Sequence, residues 1–110
     1  MQSASIIRNL EKLLSEGKES ALLRFSLGNE YLKLGEKWVA VYQLRRALEI
    51  DPTYSAAWKV LGNALSTLGA YHSAMDAYRQ GIAVAERRGD QQAVKEMAVF
   101  VQRLEKKVGT

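Results

Sequence analysis

Laid over itself at an offset of 34 residues, the sequence matches itself, and this period constrains the fold more than any other feature. Leu27-Gly28-Asn29 falls on Leu61-Gly62-Asn63, Gly35 on Gly69, Ala40 on Ala74, Leu44 on Tyr78 and Leu48 on Ile82. The register defines two units, 21–54 and 55–88. Units of this length cannot bury an apolar face alone, so they stack on neighbours.

Each unit reads as two helices. In the first, Leu23, Leu27, Tyr31 and Leu34 recur at steps of three and four, predicting an amphipathic helix that Gly35 stops. Val41, Leu44, Ala47 and Leu48 continue as a second helix until Asp51-Pro52, because proline disfavours a helical residue before it. The second unit repeats this with Trp58, Leu61 and Leu65, a turn at Gly69, then Ala74, Ala77, Tyr78 and Ile82. Gly62 and Gly28 occupy helix interiors, where glycine costs about 1 kcal/mol relative to alanine. Their shared repeat position predicts a close helix crossing, with Ala74 and Ala40 expected to face them from the paired helices.

A helix-turn-helix of this length, with W-x-x-L-G, a later small residue, an aromatic four beyond it and proline at the join, resembles the tetratricopeptide repeat (TPR). Trp58, Leu61, Gly62, Gly69, Tyr71, Ala74 and Tyr78 carry the likeness in the second unit. Leu27, Gly28, Tyr31, Gly35, Ala40, Ala47 and Pro52 carry it in the first. The chain departs from the pattern at Arg24 (for tryptophan), Lys37 and Leu65 (for tyrosine, with Trp38 beside Lys37), Gly81 (for alanine) and Glu86 (for the closing proline). The resemblance implies an all-α fold: a right-handed helix-turn-helix repeat stack, or TPR-like α-solenoid, of about six helices.

The flanks complete a single domain over 1–110 in this reading. Ile6, Leu10, Leu13 and Leu14 align at the same offset with Ala40, Leu44, Ala47 and Leu48, so 2–18 reads as the second helix of a half-repeat. Gly89-Asp90 reads as a helix stop followed by a cap. Residues 90–108 then place Val94, Met97, Ala98, Val101, Leu104 and Val108 on one stripe, as in a capping helix. Phe100 widens that stripe, and Val99 points away from it.

Composition narrows the functional classes. There is no cysteine, so disulfides and thiolate metal sites are absent. Sixteen Lys and Arg are interleaved with twelve acids to a net charge of +4, which reads as a solvated helical surface more than a nucleic-acid face. No apolar run approaches the roughly 18 residues of a membrane span. The N-terminal residues lack the basic start and apolar block of a secretory signal. A cytoplasmic location is expected, and the resemblance to small stand-alone bacterial members of the family implies a bacterial one.

No constellation for catalysis emerges. His72, the single histidine, lies at a variable repeat position with no cysteine or Asp/Ser grouping around it. No phosphate-binding loop, dinucleotide fingerprint or metalloprotease motif occurs. The expectation is a chain that is not an enzyme and that uses no cofactor or metal.

In the resembled family the first helices of successive repeats line a concave groove that holds peptide segments. The resemblance therefore implies peptide-binding positions at Leu22, Phe25, Asn29 and Lys33 in the first unit. In the second it implies Ala56, Lys59, Asn63, Ser66 and Thr67. An asparagine amide at Asn29 or Asn63 offers donors and an acceptor to a peptide backbone, although both also read as solvated polar residues. Lys59 and Asn63, one turn apart, resemble half of the family's carboxylate clamp, but Val94 stands where the clamp needs an asparagine. The implied function is a non-catalytic interaction module or scaffold for a protein or peptide partner, with no membrane partner. The alternative is a structural homo-oligomer or assembly subunit docking through its terminal helices, and nucleic-acid binding ranks below both.

Overall fold

The computed structural model describes residues 2–109. They form six helices: α1 (Gln2–Ser15), α2 (Ala21–Lys33), α3 (Lys37–Ile50), α4 (Ser55–Thr67), α5 (Tyr71–Arg88) and α6 (Gln91–Lys107). No strand occurs among the described residues. The chain divides at Pro52 into two compact units, α1–α3 and α4–α6.

In the first unit, Ser20 starts α2 by accepting the Leu23 N–H through its hydroxyl at 3.1 Å, the capping role for which serine is suited. Gly35 closes the helix at φ +79°, a left-handed conformation that a Cβ disfavours. Helices α2 and α3 pack on each other and bury Leu23 and Leu27 with Ala40, Leu44, Ala47 and Leu48. Leu34 departs from the expected stripe. The helix ends one residue earlier, so Leu34 is the C-cap and lies 46% exposed.

Arg24, at the position where the repeat pattern expects tryptophan, holds its place by charge. Its guanidinium donates to Glu19 at 2.6 and 2.7 Å and to the buried Gln43 at 2.9 Å. Arg46 reaches the same Glu19 oxygen at 2.8 Å. Hydrogen bonds from Arg46 and then Arg24 hold the Glu19 carboxyl below its usual value. A planar guanidinium suits such a shared acceptor.

In the second unit Gly69 makes the same left-handed turn at φ +79°. Leu61 and Leu65 of α4 are buried with Ala74, Ala77 and Tyr78 of α5. Each fully buried leucine is worth about 1.5–3 kcal/mol of transfer free energy. Helix α5 ends at Gly89, φ +73°, and Asp90 then accepts the Ala93 N–H through its side chain to start α6. Helix α6 packs along α5 and buries Met97, Val101 and Leu104, while Val99 is 42% exposed.

The mid-helix glycines do mark close approaches, but their principal neighbours differ from those expected. A Cβ on Gly62 would lie 2.5–2.7 Å from three atoms of the Tyr78 ring, not against Ala74. One on Gly28 would lie 2.8 Å from Leu44 Cγ, with only the Ala40 carbonyl near it at 3.5 Å. The contact falls one turn further along because the larger residue of the paired helix reaches back over the glycine. Gly81, where the family pattern has alanine, leaves room for Met97 Sδ and Trp58 Cβ, which an added Cβ would approach to 2.6 and 2.9 Å.

Gly62→Ala tests this packing with opposing terms. Helix propensity favours alanine by about 1 kcal/mol, whereas overpacking costs about 1–3 kcal/mol. Thermal unfolding should show a net loss of stability, and a gain would contradict the close approach.

Candidate functional site

The densest grouping of the sequence-derived positions lies on α4. Asn63, Ser66 and Thr67 form one wall of a cleft of about 330 Å³. Tyr78 of α5 supplies its floor, and Phe100, Arg103, Leu104 and Lys107 of α6 form the opposite wall. All of these belong to the second unit.

Tyr78 organises the cleft. Its ring lies over Gly62, and its hydroxyl donates to Asn63 Oδ1 in a short hydrogen bond. Burial pushes the phenol up to about 12, so it keeps this proton at neutral pH. With Oδ1 occupied, the Asn63 amide turns its two N–H donors away from the phenol. Phe100 packs on Tyr78 with ring centroids 5.2 Å apart and planes tilted by 34°. The aromatic pair gives the cleft an apolar base beneath a polar rim.

The rim is cationic. Arg103 lies over the Phe100 ring at 5.9 Å from its centroid, and Lys107 Nζ is 5.4 Å from that of Tyr71. Cation–π contacts of this length hold an exposed charge by about 0.5–1 kcal/mol without neutralising it. Neither cation forms an ion pair among the described residues. No carboxylate lines the cleft. Thr67 donates its hydroxyl to the Ala64 carbonyl at 2.8 Å, which fixes its rotamer.

The remaining sequence-derived positions are arranged differently. Lys59 is half-buried, and its Nζ lies 2.9 Å from Glu96 of α6, outside the cleft lining. That hydrogen bond, reinforced by the lysine charge, holds the Glu96 carboxyl below its usual value. Ala56 is exposed on the first turn of α4. In the first unit, Leu22 is 63% exposed, Phe25 and Asn29 are half-buried, and Lys33 pairs with Glu30 at 3.1 Å. Asn29 has no counterpart of the Tyr78 bond, because its repeat-equivalent residue is Leu44. His72 is exposed. Among the described residues no cluster of acidic and histidine side chains has the grouping of a metal site, and no helix is long and apolar enough to cross a membrane.

Sequence reading missed the α6 wall and the organising role of Tyr78. A signal was present, since Phe100, Arg103 and Lys107 recur at steps of three and four beside the main apolar stripe that holds Leu104. Only the pairing of α6 with α5 makes that second stripe part of a cleft.

Comparison with known proteins places this architecture. The sequence profile of the Tetratricopeptide repeat family matches residues 21–54 and 56–87. A TPR repeat-containing protein of Pseudomonas aeruginosa is 46% identical over 101 residues, spanning 92% of this chain and 96% of that protein. The solution structure of a protein from Bordetella parapertussis is 44% identical, with a TM-score of 0.79 over 92% of this chain and 88% of that one. The TPR domain of Sgt2 from Aspergillus fumigatus has a TM-score of 0.80 at 25% identity, covering 97% of this chain and 68% of that one. The fold is an all-α, TPR-like solenoid.

The Lys59–Glu96 pair generates a pH prediction. A carboxyl whose folded pKa is depressed stabilises the fold above its unfolded value, near 4.5, and loses that contribution as pH falls through the lower folded value. Glu96→Gln should therefore melt below the parent at neutral pH, and the two melting temperatures should converge in acid. A constant gap across the titration would show that the ion pair is not its source.

Proposed function

The chain belongs to the tetratricopeptide repeat family, and from that premise we propose that it is a non-catalytic interaction module that binds a segment of a protein partner on the exposed face of its repeat helices. Repeats of this family serve as protein–protein interaction modules. The observation that carries the finer reading is the α4–α6 cleft, in which donors from Asn63 and Ser66 surround an aromatic base. A few anchors in a preorganised pocket supply most of the affinity in such contacts. Asn63 is held in one orientation by Tyr78, which lowers the ordering cost of using its amide.

Leu22, Phe25, Asn29 and Lys33 on α2 are proposed as further contact positions within the first unit. Lys59 serves α4 chiefly by pairing with α6, so Asn63, Ser66 and Thr67 are the principal contacts in the second.

A second reading, self-association through α1, is supported by a separate observation. Ile6 is 39% exposed, Ile7, Leu10, Leu13 and Leu14 are half-buried, and no residue of this amphipathic helix is buried. Sedimentation over a range of concentrations decides it, since a monomer throughout removes the reading.

The test of the main proposal is to crowd the cleft. With a partner isolated on the immobilised protein, Ser66→Arg combined with Thr67→Arg should weaken binding by about tenfold or more, equivalent to 1.4 kcal/mol. Thr67 is exposed and Ser66 half-buried, and a melt within about 1 kcal/mol of the parent establishes that the fold is intact. Undiminished binding would remove α4 as the contact face.

A further inference from the structure

The charge of the cleft specifies more than its shape. Both ionised side chains that line it, Arg103 and Lys107, are cations, and neither is neutralised among the described residues. The other lysines and arginines of the second unit that face a neighbouring helix behave differently. Lys59 is matched by Glu96, and Arg79 by Glu105 at 3.3 Å. Helix α6 thus pairs its acids with Lys59 of α4 and Arg79 of α5 while leaving Arg103 and Lys107 over aromatic rings. The remaining polar groups also favour an anion. Tyr78 donates to the Asn63 carbonyl oxygen and so turns the two N–H donors of that amide away from the phenol. The Ser66 hydroxyl can donate as well.

We propose that the α4–α6 cleft recognises an acidic segment of a partner protein: aspartate or glutamate side chains pair with Arg103 and Lys107 while an adjacent apolar side chain lies against Phe100 and Leu104. The inference rests on the interaction reading of α4 and adds the chemistry of the partner. Charge complementarity is its basis, because opposite potentials steer encounter and set specificity. The arrangement favours internal acidic side chains over a single terminal carboxylate. Arg103 and Lys107 are one helical turn apart and anchored on different rings, Phe100 and Tyr71. Held over separate rings, each charge can meet its own carboxylate. A segment with acids on either side of an apolar residue meets both cations and the aromatic base together.

Selection from a displayed library of short random peptides, embedded so that no free C-terminus is presented, tests this on the intact chain at low salt. The enriched peptides should carry Asp or Glu beside a large apolar residue. They should bind R103Q/K107Q roughly three- to tenfold more weakly than the parent, in keeping with the modest strength of exposed ion pairs. Added salt should weaken parental binding and leave the double variant less affected. Both cations are exposed, and equal melts of parent and variant establish that the fold is intact. A failed melt is resolved by R103K/K107R, which keeps both charges and should keep the acidic preference. Enrichment without acidic residues, equal affinity for R103Q/K107Q, or binding only by peptides with a free terminal carboxylate overturns the proposal. If those same peptides still lose affinity on Ser66→Arg with Thr67→Arg, the interaction reading of α4 stands without it. Failure to enrich any peptide removes both.

Discussion

The second unit depends on a missing methyl group. At Gly62 the absence of a Cβ lets the Tyr78 ring lie directly on the α4 backbone, at a distance no other residue would permit. That contact sets the spacing of α4 and α5 and delivers the phenol to Asn63. The same ring then serves as the surface on which Phe100 of α6 packs. Three helices are thereby joined through one aromatic side chain, and a small-residue position at one helix interior becomes the reason a cleft exists on its neighbours. Gly81 extends the principle on α5, where Met97 of α6 fills the space that a side chain would occupy.

Electrostatics completes what packing begins. Helix α6 uses Glu96 and Glu105 to answer cations on the two preceding helices. These pairs are partly exposed and individually modest. They leave Arg103 and Lys107 unpaired at the cleft rim among the described residues. The first unit spends its charge differently. Glu19 binds two guanidiniums, and one of them, Arg24, occupies the position at which the repeat pattern has tryptophan. A packed aromatic has been exchanged for a shared carboxylate, within a helix pair whose apolar contacts are otherwise those of the repeat.

Much of this was legible because repeat periodicity is a one-dimensional signal. Leu27, Gly28, Leu61 and Gly62 announce the helix crossings, and Gly35 and Gly69 announce the turns, since each needs a conformation or a proximity that few residues supply. Leu34 misled because periodicity alone does not say where the last helical turn stops. Ala40 and Ala74 misled in a more instructive way. They are small and buried, but the glycines meet the residue one turn beyond them, and sequence spacing does not report that axial offset. The candidate site was half legible. Asn63, Ser66 and Thr67 stand on the helix face that the repeat exposes, whereas Arg103 and Lys107 lie in a segment without the repeat signature.

By itself, the sequence determined the repeat length, the helical content, the turns and the apolar faces, because all of these follow from local stereochemistry and from the spacing of side chains along a helix. Asn29 and Asn63 mark the limit. They share one repeat position and one local sequence, Leu-Gly-Asn, yet only Asn63 is oriented by a buried phenol, because Tyr78 stands where the other unit has Leu44. Which amide is preorganised, which cations are neutralised and which remain over aromatic rings were decided by the tertiary structure. Hydrogen bonds and ion pairs of this kind join helices 15 to 37 residues apart, and their formation depends on distances that only the packed helices establish.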